Sequence, residues 1–218
     1  GRHVRLPGRV DLGRRPHPVV PNTVRVPDAV PEPGRDRVLY LGTVTMARGA
    51  ADMVEAARIL RARTGGACRV EIIGGSRDPE ASDLLSSAAA AGDLRWLGFV
   101  PSDVALGMLP GALAGLSLLQ DLPNYRHSRP TKIVEYMAHG VPVVTTPLPV
   151  AVELVESAGA GVVVPFGDPV AAAEAILTLR DDPDRVRAYA AAGHAAARAA
   201  YDWNTAGPQF TATLRGFL

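Results

Sequence analysis

Six short apolar runs punctuate this chain with little polar alternation inside them: VLYL at 38–41, VEII at 70–73, LRWL at 94–97, GLSLL at 115–119, VPVVT at 141–145 and GVVV at 161–164. A strand with one wet face alternates polar and apolar side chains, so runs of this kind suit strands covered on both faces, as in a parallel sheet. Parallel neighbours need crossover connections, and the intervals leave room for them. Helical patterns fill those intervals: Gly49 to Arg63, with Met53, Ala56, Ala57 and Leu60 apolar, then Pro79 to Ala91, Ser102 to Leu109, Pro130 to His139, Pro149 to Ser157, Asp168 to Leu179 and Pro183 to Ala200. The alternation predicts one doubly wound α/β domain over residues 38–200. A tail over 201–218 is expected to be helical, with an interruption at Gly207-Pro208.

Residues 1–37 read differently. They carry eight arginines and prolines at 7, 16, 18, 21, 27, 31 and 33, which suits an extended arm or linker laid along another surface or left in solvent. The chain starts at Gly1 rather than Met and is expected to be a fragment, with no secretory signal at its start. A formal net charge of +1 gives no overall pull toward nucleic acid or an acidic membrane. The longest uncharged segment, Val104 to Gln120, falls short of the ~20 residues of a membrane helix and is broken by Pro110-Gly111, so it is read as a helix end, a turn and a strand. Cys68 has no second thiol to pair with, and a reducing cytoplasm is the expected compartment.

Several common chemistries lack their motifs. The turn after the first run reads GTVTMARG (42–49), not the GxGxxG of a dinucleotide site, and neither GxxxxGK(S/T) nor GxSxG occurs. Asp182-Pro183-Asp184 resembles a metal-binding DxD but suits a helix N-terminus, with Asp favoured by the dipole and Pro by the first turn. No metal or organic cofactor is expected.

The informative stretch is NYRHSRPTKIVEYMAHGVPVVTT, residues 124–146. Pro130 suits the first turn of a short helix and Gly140 its stop. Ile133, Val134, Met137 and Ala138 fall on one face, expected to pack, and Lys132, Glu135 and His139 fall on the other, expected to be free. Arg129 and Lys132 would set positive charge against the positive end of the helix dipole, at ~0.3–1 kcal/mol each. A diphosphate there would collect backbone N–H groups, the dipole and the ammonium together. The other reading of Lys132 is a solvated partner of Glu135 at i,i+3. Of 23 basic residues, Lys132 is the one lysine, which favours the functional reading.

The pattern P-T-K-x-x-E-Y-M-A-x-G-x-P-V-V, with the earlier YLG…RG turn, LGFVP and GVVVPFGDP, resembles the C-terminal, nucleotide-sugar-binding half of retaining GT-B glycosyltransferases of family 4. The resemblance runs from Val38 to about Tyr201. It implies a Rossmann-like sheet, the C-terminal half of a GT-B fold, a nucleoside diphosphate sugar as donor, and an acceptor held by an N-terminal domain whose linker would end in residues 1–37. By position, Glu135 matches the second glutamate of the family's E-x7-E motif, implied to bind ribose hydroxyls. Phe99 and Val100 match the segment that reads the base. Gly42, Thr43 and Arg48 match the glycine turn at the diphosphate, and Thr131 joins Lys132 in the PTK motif. The chain departs from the family at two positions: the first glutamate, implied to touch the donor sugar, falls at His127, and the usual G-R-x4-K-G turn has Thr43 after Gly42 and Arg48 before Gly49. Arg48 and Lys132 are the candidate catalytic cations. A noncatalytic partner domain is the rival reading; an epimerase would need an acid–base cluster that the sequence does not offer.

Overall fold

A computed structural model describes residues 22–215. Six parallel strands, β1 (Arg37–Leu41), β2 (Arg69–Ile73), β3 (Arg95–Trp96), β4 (Ala114–Ser117), β5 (Val143–Thr145) and β6 (Gly161–Val163), form one sheet in the order β3-β2-β1-β4-β5-β6. The helices are α1 (Ala50–Thr64), α2 (Pro79–Ala90), α3 (Ser102–Gly107), α4 (Pro123–Arg126), α5 (Thr131–Ala138), α6 (Pro149–Ala158), α7 (Pro169–Asp181), α8 (Pro183–Tyr201) and α9 (Trp203–Arg215). Each expected run forms a strand, as double-sided burial requires. The run at 141–145 pairs only from Val143, because Pro142 has no N–H and offers its carbonyl to Gly115 N–H instead.

Strand alternation sends side chains into two cores. Val38, Tyr40, Val70, Ile72 and Leu116 pack with α1, α2 and α7, while Leu39, Ile73 and Val143 pack with α3, α5, α6 and α8. A sheet buried on both faces needs no polar alternation, which accounts for the composition of its strands.

Two elements differ from the sequence reading. Residues 123–126 form the single-turn α4, opened by Pro123 at its first position. Helix α9 continues through Gly207-Pro208 rather than breaking there; Trp203 lies against Gly207, and Thr211 Oγ1 donates to the Gly207 carbonyl. Asp182 is a helix cap, as the dipole argument favours: its Oδ1 accepts from Arg185 N–H at 3.0 Å. Asp182→Ala should lower stability by about 1 kcal/mol, read as a fall in the urea midpoint at constant slope.

The arm is described from residue 22. Val24 pairs with the α8–α9 junction, its N–H donating to Tyr201 and its carbonyl accepting from Trp203 N–H, while the Pro27 carbonyl accepts from His194 and Arg198. Residues 1–21 of the expected arm and the end of the tail at 216–218 lie outside the described residues.

Candidate functional site

In a sheet of this order the chain leaves β1 and β4 toward opposite faces, and the loops at their C-terminal ends part to leave a crevice. A cleft of about 520 Å³ lies there, lined from the ends of β1, β2 and β4 and from the start of α5.

Glycines build its floor. Gly42 N–H donates to the Ile73 carbonyl and Val44 N–H to Gly75, so the turn after β1 is laced to the turn after β2. A Cβ on Gly74 would stand 1.9 Å from the Gly42 carbonyl oxygen, and its φ of +153° suits glycine alone, so the two turns can approach this closely only without a side chain. Tyr40 donates its hydroxyl to the Thr43 carbonyl at 2.8 Å, and Arg48 Nη1 donates to the same oxygen at 3.3 Å. Thr45 caps the single turn Met46–Arg48 by accepting from Arg48 N–H, which carries Arg48 to the cleft wall.

The opposite wall is α5, with no acidic residue in its first turn and no side-chain cap at Pro130, which precedes the helix instead of opening it. Lys132 does not stand in solvent as the face pattern implied. Its Nζ is buried with no hydrogen-bond partner, 3.6 Å above the centroid of the Tyr40 ring and beside Gly42. Nor does it pair with Glu135 in a salt bridge. Burial pushes the ammonium pKa well below its ordinary value, repulsion from Arg48 adds to this, and Glu135 opposes both. Glu135, half-buried one turn later, has its carboxyl raised by burial and partly restored by Lys132. His139 is a second correction: it is buried, and its Nδ1 meets the Glu135 carbonyl at 2.8 Å, closing the helix instead of facing the cleft.

The structure brings Gly42, Thr43, Arg48, Phe99, Val100, Thr131, Lys132 and Glu135 around one cleft. His127 ends α4 in solvent and does not line it. Phe99 is 83% exposed at the rim, a free aromatic face. The sequence reading missed Gly74 and Gly75 in the lining; the paired glycines directly after an apolar run were the available signal. Arg129 also lines the cleft, its guanidinium donating to the Tyr201 hydroxyl and lying 5.5 Å from that ring's centroid. The wall thus carries Arg48, Arg129 and Lys132 against the single carboxylate of Glu135, an excess of positive charge suited to an anionic ligand.

Among the described residues no helix is long and apolar enough to cross a membrane, and no group of three or more His, Cys, Asp or Glu could hold one metal ion. The model of one family, described as glycosyl transferases group 1, matches residues 35–182. No curated protein matches the sequence. Solved structures do. TarM of S. aureus, in complex with fondaparinux, α-GlcNAc-glycerol and UDP, aligns with a TM-score of 0.70 at 12% identity, over 88% of this chain and 38% of that one. HepE of Anabaena in complex with UDP aligns with a TM-score of 0.67 at 20% identity, over 84% of this chain and 49% of that one. The C-terminal domain of LpcC, a glycosyl transferase group 1 family protein from Francisella tularensis, aligns with a TM-score of 0.64 at 16% identity, over 78% of this chain and 88% of that one. The shared fold is the Rossmann-like parallel sheet of GT-B proteins, and this chain spans less than half of TarM and of HepE.

Proposed function

The chain belongs to the glycosyl transferases group 1 family, and we propose that its cleft is the donor site of a retaining, family 4 hexosyltransferase, the C-terminal half of a GT-B enzyme whose acceptor is held by an N-terminal domain. One observation carries this reading: a buried ammonium without a partner, Lys132, aimed at the glycine turn after β1. Burying an unpaired charge is costly, and an anion at that spot reverses the cost. The α5 N-terminus supplies N–H groups beside it. UDP in the TarM and HepE complexes supports a uridine diphosphate sugar as the first donor to test.

In this reading the diphosphate lies between the Gly42 turn and α5, the ribose hydroxyls meet Glu135, and the base stacks near Phe99. As the bond from sugar to diphosphate breaks, negative charge grows on the departing phosphate. Lys132, Arg48 and the first N–H groups of α5 offset it without reorganising, which is electrostatic catalysis with no metal required of this chain. The buried Cys68 thiol, its pKa pushed up to about 11 by burial, is an unreactive core residue, and a cytoplasmic setting is part of the proposal.

Calorimetric titration with nucleoside diphosphates, uridine first, tests the donor site directly; a chain that binds none of them and no inorganic pyrophosphate is not a donor domain. Glu135→Gln keeps size and weakens the acceptor. It should cost about 0.5–1.5 kcal/mol for ribonucleotides and much less for 2′,3′-dideoxy analogues. Equal losses would remove Glu135 from the ribose. A noncatalytic partner domain draws on the exposure of His127, which leaves the donor sugar without the family's carboxylate contact. Absent donor affinity would favour that second reading.

A further inference from the structure

In the register of β1 and β4, Leu39 lies opposite Gly115, so the next hydrogen bond of this parallel ladder would run from Leu41 N–H to the Leu116 carbonyl. The Tyr136 hydroxyl stands in its place. It accepts from Leu41 N–H at 2.8 Å and donates to the Leu116 carbonyl at 3.2 Å. Away from this seam the ladders run on: β1 pairs with β2 through Leu41 and Ile73, and β4 pairs with β5 through Ser117 and Thr145. Only the β1–β4 seam opens, at the end that faces the cleft.

The ring that carries the hydroxyl is fully buried on α5, and a Cβ on Gly115 would come within 2.6 Å of it, so a glycine in β4 makes room for the wedge. Burial pushes the phenol pKa well above its ordinary value, which keeps the donating proton in place. Tyr136 stands one helical turn after Lys132, on the same side of α5. Its bond to Leu41 therefore ties α5, one turn beyond Lys132, to the residue before Gly42.

We propose that Tyr136 is a positioning residue of the donor site: its hydroxyl splits β1 from β4 and sets the Lys132 ammonium against the Gly42 turn. The role rests on the reading of the cleft as a diphosphate site. The inserted hydroxyl acts as a fixed water would, satisfying both backbone groups while holding the strands apart.

The test is Tyr136→Phe in the full chain, which keeps the ring on Gly115 and removes the bridge. Calorimetry with inorganic pyrophosphate and with UDP should show affinity falling about tenfold or more, while an NMR titration with uridine stays within about twofold; the melting temperature should fall by only the few degrees that loss of the bridge costs. A purely structural tyrosine would lower nucleoside and diphosphate affinity together, in step with stability. Unchanged pyrophosphate affinity in the variant overturns the positioning role alone. A wild-type chain that binds neither pyrophosphate nor any nucleoside diphosphate overturns the donor reading and this role with it. The crystal structure of the variant supplies a second measurement: the Leu41 nitrogen and the Leu116 oxygen should close to direct hydrogen-bond distance, and an unchanged seam counts against the wedge.

Discussion

Lys132→Met should raise the melting temperature of the ligand-free chain while lowering its affinity for UDP roughly 10- to 150-fold, or about 1.5–3 kcal/mol, the range of a hydrogen bond to a charged group. The two effects have one origin. Without ligand, the ammonium is buried, has no hydrogen-bond partner and feels Arg48. Its contact with the Tyr40 ring at 3.6 Å returns part of the desolvation cost. Methionine fits the same stem, keeps contact with the ring through sulfur and buries no charge, so a gain of about 1–2 kcal/mol is expected. In a domain of this size that corresponds to roughly 2–8 °C. Calorimetry and thermal melts on the same samples decide the matter. If the variant loses stability and keeps its UDP affinity, Lys132 is a core lysine and the cleft loses its anchor.

The same lysine shows where the sequence was legible. Strand positions followed from double-sided burial, a property of whole runs, so six local patterns predicted six strands. Helical periodicity put Lys132, Glu135 and His139 on one face, and residue type suggested that the face was wet. The structure separates the three by length and place. Lysine at the first turn is long enough to fold onto β1, Glu135 stays at the wall, and His139 at the last turn bonds back to its own helix. Periodicity gives an angle around the axis, and neither the reach of a side chain nor what lies above a helix end is contained in it. Tyr136 was invisible for a related reason. Its role depends on the register of β1 against β4, strands more than seventy residues apart, which local patterns do not carry. His127 matched the family's sugar-contacting position, yet the single turn of α4 leaves it in solvent. Proline at 123 was the local signal for that turn.

UDP affinity should fall as pH rises, by up to about tenfold per unit, across a window that opens at the depressed pKa of Lys132 in the free chain and closes at its value in the complex. The free chain holds the lysine pKa below its ordinary value because burial and Arg48 both disfavour the charge, with Glu135 as the opposing carboxylate and Tyr40 held protonated beneath. A bound diphosphate supplies opposite charge and raises it again. Between the two values binding takes up a proton, so higher pH opposes it; below the lower value the lysine is charged in both states and the curve is flat. UDP suits the measurement because its terminal phosphate ionises near pH ~6. The ligand-free chain gives the matching stability result. Unfolded lysine keeps its proton to about pH 10.4, so between the folded and unfolded values the unfolded state binds more protons and stability rises with pH. Lys132→Met should flatten both profiles while Glu135 and Arg48 remain. A UDP profile that keeps its slope in the variant would assign the proton to another group and leave the ammonium without a part in binding.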